Sequence, residues 1–236
     1  MVALASARMI CPTDGMENLG SRHLLDLFRL IALRLSEARR ELGALDGAIG
    51  DADHGNSMAE GFAAVVRAVS ATPAMLPSEA MTVAGRSFLS AVGATTGPLY
   101  ASAMLAAAKG LEGGTQLSAV DVVGLIPSFA EGIGQRGKAN PGDKTMMDAW
   151  SPAARAVAEA QRSALPPIEQ LRRAKAAAEE GREATRAMIA AVGRAARLGP
   201  RSLGHVDPGA ASAVIIIEAL LEWLDLHLTQ ADGAGD

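Results

Sequence analysis

The stretch LDGAIGDADHG, residues 45–55, combines three aspartates, one histidine and three glycines in eleven positions. Each glycine costs about 1 kcal/mol relative to alanine inside a helix, so the stretch favours a sharply bending loop over a continuous helix. On such a loop Asp46, Asp51 and Asp53 can converge on one point. Carboxylate oxygens on a flexible loop suit Mg²⁺ or Ca²⁺, although the spacing is not that of an EF-hand. The same aspartates can instead cap helices and fix turns, so the spacing alone leaves metal binding open.

The composition around this stretch indicates an α-helical protein. Hydrophobic residues make up 49% of the 236-residue chain, whereas aromatic residues, which strands favour, make up 3%. The formal net charge of −4 gives no basic footprint for nucleic acid. Cys11 is the only cysteine, which excludes an intrachain disulfide and suits a reducing compartment. The most apolar run, residues 210–221, is interrupted by Glu218 and is too short to span a bilayer, so we expect a soluble cytoplasmic protein without a membrane segment.

Helical spacing of apolar residues recurs along the chain and predicts eight helices. The first is clearest, because its apolar residues from Leu24 to Leu35 form one stripe. Since the chain has no break in composition and no internal repeat, we expect one all-α domain over residues 19–230, with tails at residues 1–18 and 231–236. The predicted helices span residues 21–42, 58–69, 78–92, 98–109, 118–132, 146–162, 166–191 and 210–229.

Four connections stand out because they combine glycine with charged or hydroxyl side chains, whereas the other links are plain. They follow the first, third, fifth and seventh predicted helices, and consecutive helices in a bundle are usually antiparallel. We therefore expect all four at the same end of the bundle, where they would form one site. The alternative is that they merely join helices. These loops span residues 45–57, 93–98, 137–145 and 194–209.

A nucleoside diphosphate or triphosphate with Mg²⁺ would suit such a site. The three aspartates and a diphosphate each carry roughly −3, so charge balance predicts two Mg²⁺ ions, which proteins usually hold with carboxylates and substrate phosphates. The 93–98 loop leads into a helix N-terminus, which favours anions, so Thr95 and Thr96 are candidate phosphate donors or helix caps. The motif GIGQRG at residues 132–137 fits G-x-G-x-x-G, but it follows a helix rather than a strand and does not indicate a dinucleotide fold.

Other side chains in these loops have alternative roles that the sequence leaves open. His54 can bond to phosphate or carboxylate or ligate a metal, and His205 can be a structural donor. Lys144 can offset phosphate charge or lie on the surface. Arg194 can reach an anion or point into solvent, and Met146 can pack on a base or in the core.

Together, the four loops resemble the nucleotide-binding L subunit of bacterial dihydroxyacetone kinase. The resemblance rests on LDGAIGDADHG itself, on residues 93–99, on PGDKTM at residues 141–146 and on RSLGHVDPGA at residues 201–210. These segments occur in the family's order and cover about residues 20–230. The resemblance implies an eight-helix antiparallel up-and-down barrel with the nucleotide site at one end.

The resemblance also assigns roles to individual residues. It implies that Asp46, Asp51 and Asp53 hold two Mg²⁺ ions that bridge the phosphates of ADP or ATP. It implies no catalytic nucleophile on this chain, since phosphoryl transfer needs mainly positioning and charge stabilisation. The positions that match ADP contacts in the family are His54, Gly55, Asn56, Ser57, Thr95, Thr96, Gly137, Met146, Arg194, Asp207, Pro208 and Gly209.

In the family that the chain resembles, a separate K subunit holds the keto-sugar on a histidine and docks over the nucleotide end. The resemblance therefore implies a phosphotransferase subunit that is active only with its K subunit and is recharged by a phosphocarrier M subunit of the phosphotransferase system. Two alternatives stay open. One is an ATP-dependent kinase subunit for another keto-sugar such as erythrulose, and the other is an ADP-dependent sensor that binds a transcriptional regulator.

Overall fold

The computed structural model describes residues 21–72 and 75–233, and every helix or strand assigned in these residues is a helix. The all-α fold that the sequence predicts is therefore confirmed. Two short 3₁₀ segments, Thr185–Ala187 and Ala195–Ser202, precede the last helix. The α-helices are α1 (Ser21–Glu37), α2 (Arg39–Ile49), α3 (His54–Ser70), α4 (Pro77–Ala91), α5 (Thr96–Gly110), α6 (Ala119–Gly137), α7 (Met147–Arg162), α8 (Pro167–Ala184) and α9 (Pro208–Gly233).

The helices form a closed ring. Helix α1 packs against α3, each helix from α3 to α8 packs against the next one in the chain, and α9 packs back against α1. This ring is the expected eight-helix barrel, with α2 lying across one end against α3 and α9. The predicted apolar stripe of α1 is buried, with Leu24 and Leu35 fully inaccessible. The largest fully buried side chains in the described part of the chain include Trp150, Trp223, Tyr100, Phe28, Phe62 and Phe88.

Glycines set how closely some of these helices approach. A Cβ atom at Gly61 would lie 2.3 Å from Cε2 of Phe88, and one at Gly132 would lie 2.4 Å from the carbonyl oxygen of Ser102. Side chains cannot occupy such short distances, so these two positions require glycine. The close contacts of α3 with α4 and of α5 with α6 therefore depend on single residues in the sequence.

Several predicted boundaries differ from the structure. The predicted first helix is divided at Ala38, and its second half, α2, continues to Ile49, so Asp46 and Gly47 are helical rather than part of a loop. Gly55 is also helical, because α3 begins at His54. The loop prediction weighed helix propensity alone. A Cβ at Gly55 would lie 2.1 Å from the carbonyl oxygen of Arg39, so this glycine is retained for close packing of α3 on α2.

The C-terminal end of the domain and the connection before the last helix also differ from the predicted bounds. The predicted tail at residues 1–18 lies outside the described residues. At the other end α9 continues to Gly233, three residues beyond the predicted end of the domain, and residues 234–236 lie outside the description. The seventh predicted helix ends at Ala184 rather than at residue 191. Within the described residues, no helix is both long and apolar enough to cross a membrane.

Candidate functional site

The four predicted loops meet at one end of the ring, around a cavity of about 370 Å³. Residues from all four contribute to its wall, so the expectation that these loops share one end is confirmed. A cavity of this size is in the range of small-molecule sites. The predicted metal and nucleotide residues that line it are Asp46, Asp51, Asp53, His54, Thr95, Thr96, Gly137, Met146, Arg194, Asp207, Pro208 and Gly209.

Three predicted nucleotide contacts, Gly55, Asn56 and Ser57, are not among the residues that line the cavity. Gly55 is buried against α2, and the amide oxygen of Asn56 accepts a hydrogen bond of 2.6 Å from Nε of Arg39. These residues follow His54 along α3, and the helix carries them away from the cavity wall.

The three aspartates form a carboxylate cluster in which one oxygen from each lies within 4.8 Å of the others. Asp46 is buried at the end of α2, and its Oδ2 accepts hydrogen bonds from the backbone N–H groups of Asp53 (2.8 Å) and His54 (3.1 Å). A Cβ at Gly50 would lie 2.2 Å from Oδ1 of Asp46, so glycine is needed to leave room for this carboxylate. The short turn between α2 and α3 thus holds one carboxylate rigidly, while Asp51 and Asp53 stay exposed to solvent.

Positive charge and burial both act on this cluster. The guanidinium group of Arg194 contacts the carboxylate of Asp51 and lies 3.5 Å from Oδ2 of Asp53. Burial, and secondarily the charge of Asp46, raise the pKa of Asp53 above its usual value. Three converging carboxylates that need counter-charge match the oxygen ligands that Mg²⁺ prefers, so the residues present fit this ion.

Four helix N-termini surround the same cavity. The first residues of α3, α5, α7 and α9, which are His54, Thr96, Met147 and Pro208, all line it. Each helix N-terminus carries roughly half a positive charge, so this end of the ring favours anions. At α3 and α9 the carboxylates of Asp46 and Asp207 already accept bonds from the first N–H groups. Thr95 precedes α5 without a side-chain capping bond, so the structure does not support the alternative that it serves as a helix cap.

Asp207 and His54 sit deeper in the wall and are held by hydrogen bonds. Oδ2 of Asp207 accepts a bond of 2.7 Å from the N–H of Ala210, and burial raises the pKa of this carboxyl to about 7. Nε2 of His54 lies 2.9 Å from Oγ of Ser212, which itself bonds to the carbonyl oxygen of Gly209. Burial lowers the pKa of His54 to about 4, so the imidazole is neutral at pH 7.

Two residues organise the third loop, and the sequence indicated neither the burial of Lys144 nor the role of Asp148. Lys144 is 2% exposed, and its Nζ donates hydrogen bonds to the carbonyl oxygens of Thr185 and His205, so the alternative of a surface lysine is wrong. The carboxylate of Asp148 accepts bonds from the N–H groups of Gly142 (2.5 Å) and Thr145 (2.7 Å). A lysine next to a glycine-rich turn is the only local signal, and it does not specify carbonyl partners 41 and 61 residues away.

Comparison with known proteins shows the family to which the chain belongs. Residues 48–222 match the DAK2 domain. The chain is 36% identical over 179 residues to the "PEP-dependent dihydroxyacetone kinase, ADP-binding subunit DhaL" of Escherichia coli strain K12, covering 76% of this chain and 85% of that protein. It is also 36% identical over 189 residues to the "PTS-dependent dihydroxyacetone kinase, ADP-binding subunit DhaL" of Lactococcus lactis, covering 80% and 90% of the two chains.

A solved structure shows the same fold. The dihydroxyacetone kinase of C. freundii superposes with a TM-score of 0.66 at 24% sequence identity, over 94% of this chain and 38% of that chain. This chain therefore spans little more than a third of that kinase, and the likeness concerns the helical barrel. Together with the sequence matches, these findings show that the chain belongs to the DAK2 domain family of the dihydroxyacetone kinases, as a homologue of their ADP-binding DhaL subunits.

Proposed function

We propose that this chain binds ADP with two Mg²⁺ ions and that the bound nucleotide, once charged, transfers a phosphoryl group to dihydroxyacetone held on a partner K subunit. The observation that carries the proposal is the cavity in which the carboxylate cluster faces four helix N-termini. Carboxylates alone would repel a diphosphate, and helix N-termini alone would not bind a cation. Their combination around one cavity suits a diphosphate together with divalent ions.

In this proposal Asp46, Asp51 and Asp53 would hold the metal ions, which supply charge neutralisation for the phosphates. The backbone N–H groups at the start of α5 would bind phosphate oxygens, and Thr95 and Thr96 would add hydroxyl donors. A C. freundii dihydroxyacetone kinase with this barrel fold was crystallised with AMP-PNP and Mg²⁺, which supports the choice of ligands. No side chain of this chain needs to act as a nucleophile, because phosphoryl transfer depends mainly on positioning and charge.

The phosphoryl donor in this proposal is a cytoplasmic phosphocarrier M subunit, which phosphorylates ADP while the nucleotide stays bound to this chain. Support comes from relatives described as PEP- or PTS-dependent, of which this chain covers 85% and 90%. The alternative is an ATP-dependent kinase subunit for erythrulose. It is favoured by 31% identity over 215 residues to the "L-erythrulose 1-kinase" of Mycolicibacterium smegmatis, although this chain spans only 36% of that protein.

The surface near the cavity supports a role for a protein partner. Ile189, Val192 and Leu203, in the connection between α8 and α9, are between 40% and 48% exposed, and Val192 also lines the cavity. Large apolar side chains grouped beside a ligand site are typical of docking surfaces. A K subunit that brings its sugar to the nucleotide would cover these residues. An ADP-dependent sensor that binds a transcriptional regulator would use the same surface, and a pull-down with and without ADP separates the two.

Calorimetry tests the nucleotide and metal parts of the proposal. We expect the purified chain to bind ADP in the presence of Mg²⁺ and to lose this binding in EDTA. The variant Asp51→Ala should abolish Mg²⁺-dependent binding without unfolding the chain, because Asp51 is exposed and makes no bond to the core. Unchanged ADP affinity in this variant would refute the proposal. Addition of a K subunit, dihydroxyacetone and either a charged phosphocarrier or ATP would then identify the donor.

A further inference from the structure

The connection between α8 and α9 contains a segment, residues 188–204, that is fixed at both ends and contributes residues 192–195 to the wall of the cavity; we name it the strap. At its start the N–H groups of Ala190 and Ala191 donate to Oγ of Ser202 (3.0 Å) and to the carbonyl oxygen of Asp143 (3.1 Å). At its end the N–H of Gly204 donates to the carbonyl oxygen of Arg186 at 2.8 Å. The bonds to Asp143 and Arg186 anchor the strap to the body of the protein, whereas the bond from Ala190 to Ser202 joins the two ends of the strap to each other.

The middle of the strap has a different character. Gly193 and Gly199 have φ values of +72° and +53°, which glycine adopts more easily than other residues, and they bracket residues 194–198. Residues Ala195–Ser202 form a 3₁₀ segment, whose backbone bonds are local, and the N–H of Arg197 donates to the carbonyl oxygen of Arg194. Within the described residues, the side-chain bonds from this stretch to another element are those of Arg194 to the turn between α2 and α3.

We propose that Arg194 is a latch, an internal cation that holds the strap over the cavity while the aspartates carry no metal and that a divalent ion displaces. This inference rests on the metal site of the proposed function. The guanidinium contacts Asp51 and Asp53, two of the three carboxylates that would bind the ion, so the two cations compete for the same negative charge and repel each other there. Metal binding therefore frees Arg194 and the middle of the strap, which opens the mouth for a nucleotide.

The exposure of the latch makes such an exchange inexpensive. Arg194, Asp51 and Asp53 have side chains that are 49%, 47% and 53% exposed. Ion pairs this exposed are weak and are screened by salt, whereas a divalent ion gains from all three carboxylates together. The latch therefore contributes little free energy, and a divalent ion that binds all three carboxylates displaces it.

Two measurements on the full chain without nucleotide test the latch. The first is Mn²⁺ binding, followed by the electron paramagnetic resonance signal of the free ion. Removing the competing cation in Arg194→Gln should tighten Mn²⁺ binding by about two- to fivefold. The matched control is Arg197→Gln, which removes an exposed arginine of the same strap that has no ion pair recorded in the described structure. We expect this control to bind Mn²⁺ like the unmodified chain.

The second measurement is hydrogen exchange of the strap's backbone amides. Mg²⁺ alone should speed exchange over residues 192–198 in the unmodified chain. In Arg194→Gln the exchange of these amides should be fast before metal is added. In Asp51→Asn, which weakens the latch without any ion, their exchange should be faster than in the unmodified chain. Equal or weaker Mn²⁺ affinity in Arg194→Gln, or slower strap exchange on adding Mg²⁺, would overturn the latch.

These outcomes separate the latch from the proposed function. If the unmodified chain binds ADP with Mg²⁺ but Arg194→Gln does not differ in Mn²⁺ affinity, the latch alone is wrong. If the unmodified chain and Arg194→Gln both fail to bind Mn²⁺ or ADP, the metal site is wrong and the latch fails with it.

Discussion

Replacing Gly50 with alanine tests whether the placement of one carboxylate controls ligand binding. The new Cβ would lie 2.2 Å from Oδ1 of Asp46, well inside the 3.0 Å below which such contacts essentially never occur. The carboxylate must therefore rotate away and lose at least one of its bonds to the N–H groups of Asp53 and His54. Hydrogen bonds to a charged group contribute about 1.5–3 kcal/mol, so we expect ADP to bind roughly ten- to hundredfold more weakly in the presence of Mg²⁺.

Calorimetric titration of Gly50→Ala with ADP and Mg²⁺ measures this effect, and chemical unfolding reports the accompanying loss of stability, which we expect at about 1–3 kcal/mol. Gly47→Ala is the matched control, three residues earlier and inside α2, which ends at Ile49 just before Gly50. Its Cβ would lie 3.4 Å from Cβ of Ala52, an ordinary van der Waals contact, so binding should not change. Affinity in Gly50→Ala equal to that of the control would refute the role given to the Asp46 carboxylate.

Three further predictions concern stability. Lys144→Met should lower the free energy of unfolding by about 2–4 kcal/mol in urea titrations, because it leaves the carbonyls of Thr185 and His205 without their donor. The control Lys138→Met, at an exposed position, should change this free energy little, and equal losses in the two variants would contradict the prediction. Burial raises the pKa of Asp207 to about 7, so the folded state holds this proton more tightly and Asp207 makes stability fall as pH rises from about 4 to 7. Asp207→Asn should remove that fall in unfolding measured across this pH range, and an unchanged slope would show that the carboxyl is not protonated in the folded protein. Gly124→Ala, at a helical position where a Cβ meets no atom within 4 Å, should raise the free energy of unfolding by about 0.5–1 kcal/mol and leave ADP binding unchanged; a loss of stability would contradict the open space at this position.

The sequence predicted which residues line the cavity better than it predicted the bounds of the helices that carry them. Up-and-down connectivity follows from short links between amphipathic helices, and it was enough to bring Asp46, Thr95, Met146 and Asp207 to one cavity although they are far apart in the chain. The same connectivity places four helix N-termini there, of which the sequence indicated only the one that follows the 93–98 loop.

Tertiary contacts explain what sequence reasoning could not find. Helix propensity argued for a loop around Gly55, but that glycine is required because α3 touches the backbone of α2 at Arg39. The burial of Lys144 has no signal in the local sequence, since its hydrogen-bond partners are two backbone carbonyls distant along the chain. The ion pairs of Arg194 likewise join a strap and a turn whose proximity only the closed ring creates.

The central claim is that divalent ions at the carboxylate cluster clamp a diphosphate against the helix N-termini. Anomalous diffraction from crystals grown with ADP and Mn²⁺ tests it most directly, because manganese marks its own position. We expect two manganese peaks beside Asp46, Asp51 and Asp53, with the diphosphate between the manganese ions and the start of α5. Manganese peaks away from these aspartates, or ADP bound outside the cavity, would contradict it.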